Sequence, residues 1–147
     1  MGRVRLMPFA GYTTTVEAVK TAGDITTMLA KAGARRIMTE YTTDGRPEGI
    51  SFEIPTTLGV QGFTLPVKIK AVHAVLKRQS LQPRYQTLEH AERVAWRVAH
   101  DWLRNQLALI EAEMVTLDEV MFPWMIAAGG GTMHDTYVEQ RTKALEG

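Results

Sequence analysis

The sequence predicts an α+β fold: an N-terminal helix, a three-stranded antiparallel β-meander, and a predominantly helical C-terminal half with one long helix. Three observations predict it. Apolar residues recur at helical spacing up to residue 33, alternate with a period of two between residues 35 and 67, and return to helical spacing beyond residue 68. At 147 residues the chain has the size of one domain, and a single α+β domain over 1–147 is expected.

The first element is TTTVEAVKTAGDITTMLAKAG. Thr14 stands three residues before Glu17, a capping-box spacing, and Val16, Val19, Ile25, Met28 and Leu29 precede a C-terminal glycine at Gly33. Gly23-Asp24 in its middle can equally end one short helix and cap a second. From Arg35, Ile37, Thr39 and Tyr41 share one face; a turn at Asp44-Gly45 follows, and then Ile50, Phe52 and Ile54 share a face opposite Ser51 and Glu53. That alternation is a hairpin. The connection TTLGVQG leads to a third strand at Phe63, Leu65 and Val67, which Pro66 confines to an edge or ends.

VKIKAVHAVLKRQ then puts Ile69, Val72 and Leu76 at helical spacing, and QSLQPRYQT reads as a loop. The long helix runs from Leu88 to about Leu117, free of Gly and Pro. It carries two apolar stripes, Ala91, Ala95, Val98, Trp102 and Leu109, and Trp96, Ala99, Leu103, Leu107, Ile110, Met114 and Leu117. So wide an apolar surface needs cover on more than one side, and a second subunit is expected to supply part of it. Asp118 is expected to cap a short helix, DEVMFPWMI, broken by Pro123; the triple glycine at 129–131 precedes a last helix beginning near Asp135.

The composition excludes several function classes. There is no cysteine, so disulfides and thiolate chemistry are out and a cytoplasmic location is the default. No apolar run approaches the roughly 20 residues that span a bilayer, and MGRVRLMPFAG lacks an apolar stretch of signal-peptide length. His73, His90, His100 and His134 make no close metal spacing, and the acidic neighbours Glu111 with Glu113 and Asp118 with Glu119 read as a solvated face. GGGT at 129–132 lacks the lysine and the preceding strand of a phosphate loop, and neither serine, Ser51 or Ser80, lies in a nucleophile elbow. No catalytic residue, metal ligand or cofactor site is predicted, and an enzyme is not expected.

Charge is the informative signal. Residues 1–106 hold 15 Lys and Arg against 9 Asp and Glu, whereas residues 107–147 hold 2 against 7. Such segregation suits either a polyanion partner for the basic part or attraction between the two parts. On the long helix Arg93, Arg97, His100 and Arg104 fall on one face over roughly 16 Å. Lys68, Lys70, Lys77 and Arg78 form a second cluster, and Arg35 and Arg36 at the start of the hairpin extend the basic groove. The competing reading is a solvated face on which Glu89 and Asp101 pair locally. For single strands, Tyr85, Trp96 and Trp124 are candidate stacking platforms, although the apolar stripes favour core packing for Trp96.

The stretches TEYTTDGRPEGISFEI and ERVAWRVAHDWLRNQLALIEAEM resemble a group of short uncharacterised proteins of tailed phages and prophages, over about residues 25 to 137. The resemblance implies a phage product acting inside the host cell in DNA replication or recombination, and it brings no catalytic residues with it. The element order is also similar, in topology and charge alone, to the β-β-β-α core of single-strand annealing proteins, which form rings or filaments. The expected function is therefore a homo-oligomeric nucleic-acid-binding protein, single-stranded DNA favoured, annealing or protecting without catalysis. The alternative is a protein-interaction module, such as a phage assembly factor or an inhibitor of a host protein, using the tail MFPWMI.

Overall fold

The computed structural model describes residues 8–147, so most of MGRVRLMPFAG, and the leader expectation attached to it, lies outside the described residues. The chain forms α1 (Ala18–Lys31), β1 (Arg36–Tyr41), β2 (Pro47–Thr56), β3 (Gly59–Thr64), α2 (Ile69–Arg78), α3 (Leu88–Glu111), α4 (Leu117–Met121) and α5 (Met133–Glu146). Short 3-10 turns stand at Pro83–Tyr85 and Phe122–Trp124. The strands pair antiparallel in the order β1-β2-β3, as the meander predicts. No helix among the described residues is long and apolar enough to cross a membrane.

Side-chain alternation gives the sheet one apolar face. Ile50, Phe52, Ile54 and Phe63 turn inward and pack with Ala22, Ile25 and Leu29 of α1 and Trp96 and Leu103 of α3. A second, smaller cluster joins Val72 and Leu76 of α2 to Ala91, Val94 and Ala95 on another side of α3. The first two-thirds of α3 is thus covered within the chain, by α1 and the sheet on one side and by α2 on the other. Beyond Leu103 the same helix has only half-buried apolar positions, Leu107, Leu109 and Ile110.

Several boundaries differ from the sequence expectations for identifiable reasons. The Thr14 and Glu17 capping box does not form: α1 starts at Ala18 with Glu17 as a non-bonding cap, and the Thr14 hydroxyl accepts from Val16 N–H instead. The helix then runs unbroken through Gly23-Asp24. β3 begins at Gly59, inside the stretch expected to be a loose connection, because Thr57-Leu58 make a two-residue turn and Gly59 takes a φ of 105° open to glycine. Leu65 to Val67 follow the strand instead of forming it.

α3 stops at Glu111 instead of near Leu117. Glu113 adopts a φ of 60°, while Met114 N–H bonds Leu109 O and Glu113 N–H bonds Ile110 O, a left-handed termination built on a non-glycine residue. α4 is capped by Thr116 with Glu119, not by Asp118, and α5 starts at Met133 with Thr132 as cap and Asp135 as its reciprocal partner.

Candidate nucleic-acid interface

The basic residues of α3 are held by neighbours before any ligand arrives. Arg93 Nη2 lies 2.8 Å from Glu89 and 3.3 Å from Glu17, and Arg97 lies 3.6 Å from Asp101 and 3.1 Å from His100 Nδ1. Both arginine side chains are only about one-fifth exposed, at 22% and 21%. The reason is an N-terminal arm that periodicity did not reveal. Residues Phe9 to Glu17 cross the helix: Phe9 and Tyr12 pack on the α2–α3 cluster, the Tyr12 carbonyl meets His90 Nε2, and Gly11 lies against the Arg97 stem. His100 is buried as well, with Asp101 Oδ1 2.8 Å from its Nδ1. The arm's apolar contacts, Phe9 and Tyr12, were the available signal, but two residues without a period do not announce a packed segment.

Of the α3 row, Arg104 alone stays exposed, and it forms no ion pair among the described residues. Arg36 opens β1, an outer strand of the sheet, at 4.0 Å from Glu53, and Arg35 precedes it with its N–H donating to Glu53 O. The structure leaves Arg93 and Arg97 in ion pairs on α3 and Arg104 exposed on the same helix.

It does bring another group together. Lys70, Lys77 and Arg78 share the exposed face of α2 with Ala71 and Ala74, while Val72 and Leu76 point into the core. From Ile54 to Leu88 the chain contains Lys68, Lys70, Lys77, Arg78 and Arg84 and not one Asp or Glu. None of these five cations forms an ion pair among the described residues, and the Lys and Arg of α2's last turn also suit its C-terminal dipole.

The loop after α2 is ordered rather than free. Gln86 Nε2 donates to Leu76 O and Gln79 O, answering carbonyls at the helix end, and His73 Nε2 bonds Gln86 O. This pins Arg84 and Tyr85 beside α2. Tyr85 is half-buried, braced edge-on by Tyr12 with centroids 5.2 Å apart and overlain by the Arg84 guanidinium at 4.7 Å. Trp96 is fully buried and Trp124 packs on the core, so Tyr85 is the aromatic of the three beside the basic surface.

At the other end of α2, Lys68 and Lys70 flank a cleft of about 460 Å³ that also holds Arg46, Glu48 and Glu92. Glu92 is buried and anchored by Arg46 Nη1 at 3.0 Å. Glu92, then Asp44, hold the Arg46 guanidinium above its ordinary value; the Thr42 hydroxyl, its largest cause, and Arg46 hold Asp44 below its ordinary 3.8. These groups clamp the hairpin turn to α3 and are spoken for. No group of three or more His, Asp or Glu arranged to hold a metal ion occurs among the described residues.

The apolar tail divides. Met121 is buried, Trp124 and Met125 are half-buried, and Phe122 stands 50% exposed. α5 buries no residue and meets the body mainly at the Phe122–Trp124 turn. No protein-family model, no curated protein and no solved structure matches the chain.

Proposed function

We propose that the protein is a non-catalytic nucleic-acid-binding protein that holds single-stranded DNA against the exposed face of α2 and the turn that follows it. On this reading it works as a homo-oligomer in phage DNA replication or recombination within the host cytoplasm, the setting the resemblance implies. One observation carries it: five cations and no acid between Ile54 and Leu88, exposed on α2 and the adjoining turn and without ion-pair partners among the described residues. Unpaired cations can release counterions from a phosphate backbone, whereas Arg93 and Arg97 would first have to leave their carboxylates. Tyr85 stands at the same surface with Arg84 over its ring, and an unpaired base that takes the place of that guanidinium would stack there, which favours a single strand over a duplex.

The test is fluorescence anisotropy of labelled single- and double-stranded oligonucleotides across a salt series. Single-strand binding with a steep salt dependence is expected, and Lys77→Ala, Arg78→Ala and Arg84→Ala together should flatten the log–log slope by about 2, three contacts at roughly 0.7 each. Absence of binding at low salt, or an unchanged slope in the folded triple variant, would reject the surface.

One observation favours a second reading, a protein-interaction module. α5 is a 14-residue helix with no buried side chain and with Tyr137, Val138 and Leu145 exposed, and isolated helices of that length are marginal in water. A helix kept at this cost is one that another protein can cover.

A further inference from the structure

The sheet has one edge answered and one open. β3 is covered on its outer side: Met125 bridges Phe63, and Ile126 N–H donates 2.8 Å to Gly62 O. β1, six residues long, pairs only with β2 among the described residues. Open edges are commonly guarded by charged side chains, lysine above all, by proline and by bulges; β1 has neither lysine nor proline, its bulge comes only at its end, and its two charges are of opposite sign. Its sequence, Arg36-Ile37-Met38-Thr39-Glu40, instead places opposite charges symmetrically about a methionine.

Hydrogen-bond alternation fixes which backbone groups the edge offers. Leu65 N–H donates to Ile50 O at 3.0 Å, so the peptide groups of Ile50 and Phe52 face β3 and those of Gly49, Ser51 and Glu53 face β1. Their partners Glu40, Met38 and Arg36 therefore face β2. The N–H and C=O groups of Ile37 and Thr39 are left pointing outward.

We propose that this edge pairs with the same edge of a second copy, antiparallel, about a two-fold axis at Met38; the inference rests on the oligomeric part of the reading above and is independent of its nucleic acid. In that register Ile37 and the partner copy's Thr39 exchange both backbone hydrogen bonds, twice over by symmetry. Met38 meets its own copy in a close pair without hydrogen bonds, and Arg36 faces Glu40 on each side. Centring on Ile37 or Thr39 would set Arg36 against Met38 or Thr42 and lose both charge pairs. The bulge between Glu40 and Tyr41 ends the regular ladder, leaving Arg36 to Glu40 as the straight stretch, and Met38 is its midpoint. The groups are available: Met38 is 59% exposed, Arg36 holds Glu53 only at 4.0 Å, and Glu40 lies exposed along Gly49. The result is a six-stranded sheet whose outer ends are the two β3 strands, each already covered.

Sedimentation equilibrium of the full chain without nucleic acid tests it. The wild type should be dimeric; Arg36→Glu alone or Glu40→Arg alone should weaken the dimer roughly tenfold or more by setting like charges opposite, and the two together should restore it. Met38→Cys, the only cysteine in the chain, should oxidise to a disulfide-linked dimer, because a non-hydrogen-bonded pair holds its Cα atoms about 4.5 Å apart, within disulfide range. Circular dichroism checks that each variant is folded. A monomeric wild type would overturn both this pairing and the oligomeric reading. A wild-type dimer that neither charge variant weakens, or that Met38→Cys does not cross-link, would overturn the pairing and leave oligomerisation through another surface standing.

Discussion

Trp96 is fully buried, and its indole N–H donates 3.0 Å to the carbonyl of Pro47, itself buried at the start of β2. One side chain thus ties the long helix to the strand that begins the central ladder. Trp96→Phe keeps an aromatic ring but removes the donor, leaving a buried carbonyl unanswered, and should cost about 1–3 kcal/mol in urea denaturation. Its burial was legible from the apolar stripe at Trp96, Ala99 and Leu103; the partner at Pro47, 49 residues away, was not, because a local period says nothing about which distant carbonyl a donor meets. Asp44 offers a pH signature. The Thr42 hydroxyl, 2.6 Å away, and Arg46 depress its folded value below 3.8, so the stability it contributes is present above that value and is lost as pH falls through the depressed one. Thr42→Val should move the Asp44 carboxyl back toward 3.8 in an NMR titration; an unmoved titration would refute the hydroxyl's role.

Among elements, α5 differs from the others. Its first turn is secured by a capping box in which Thr132 accepts from Asp135 N–H and Asp135 Oδ2 accepts from Thr132 N–H at 2.9 Å, which also holds Asp135 below its ordinary value. Nothing else along the helix is buried, so its helicity and the stability of the body are separable. Thr132→Ala should cost about 1 kcal/mol of local helix stability, seen as faster amide exchange in Met133–Glu146, with the melting temperature of the body unchanged. A parallel fall in the melting temperature would show that α5 belongs to the core. The element order was readable from the change of period at residues 35 and 69, since burial of one face imposes that pattern. The ends were less readable: α3 stops where Glu113 turns left-handed, a conformation that a glutamate does not advertise, and β3 was hidden because Gly59 and Gly62 interrupt its alternation. The three-residue capping spacing misled at Thr14 yet was realised at Thr116 and Thr132, so spacing alone does not say whether the chain enters a helix at the angle the hydroxyl needs.

Over the whole molecule, the cations divide by what surrounds them. Those of α2 and the following turn stand in acid-free sequence, whereas Arg93 and Arg97 lie under the Phe9–Glu17 arm with carboxylates at 2.8–3.6 Å. A helical row of basic residues was visible in the sequence; whether each faced solvent or an arm was not, because the arm comes from more than 70 residues away and carries no period. The two groups should respond oppositely to removal. Arg93→Ala with Arg97→Ala strips charged hydrogen bonds and two packed alkyl stems from beneath the arm, and should lower stability by about 1–2 kcal/mol, since Glu17 and Glu89 are themselves largely exposed. The salt slope of single-strand binding should stay as in the wild type, because groups already paired release few counterions. Lys77→Ala, Arg78→Ala and Arg84→Ala should leave the denaturation midpoint in place and flatten the slope. Measuring both quantities on both variants settles which cations hold the fold and which face a polyanion: a slope that falls in the Arg93 and Arg97 variant while stability holds would mean that the arm lifts away when DNA binds, and that the α3 row is the contact surface.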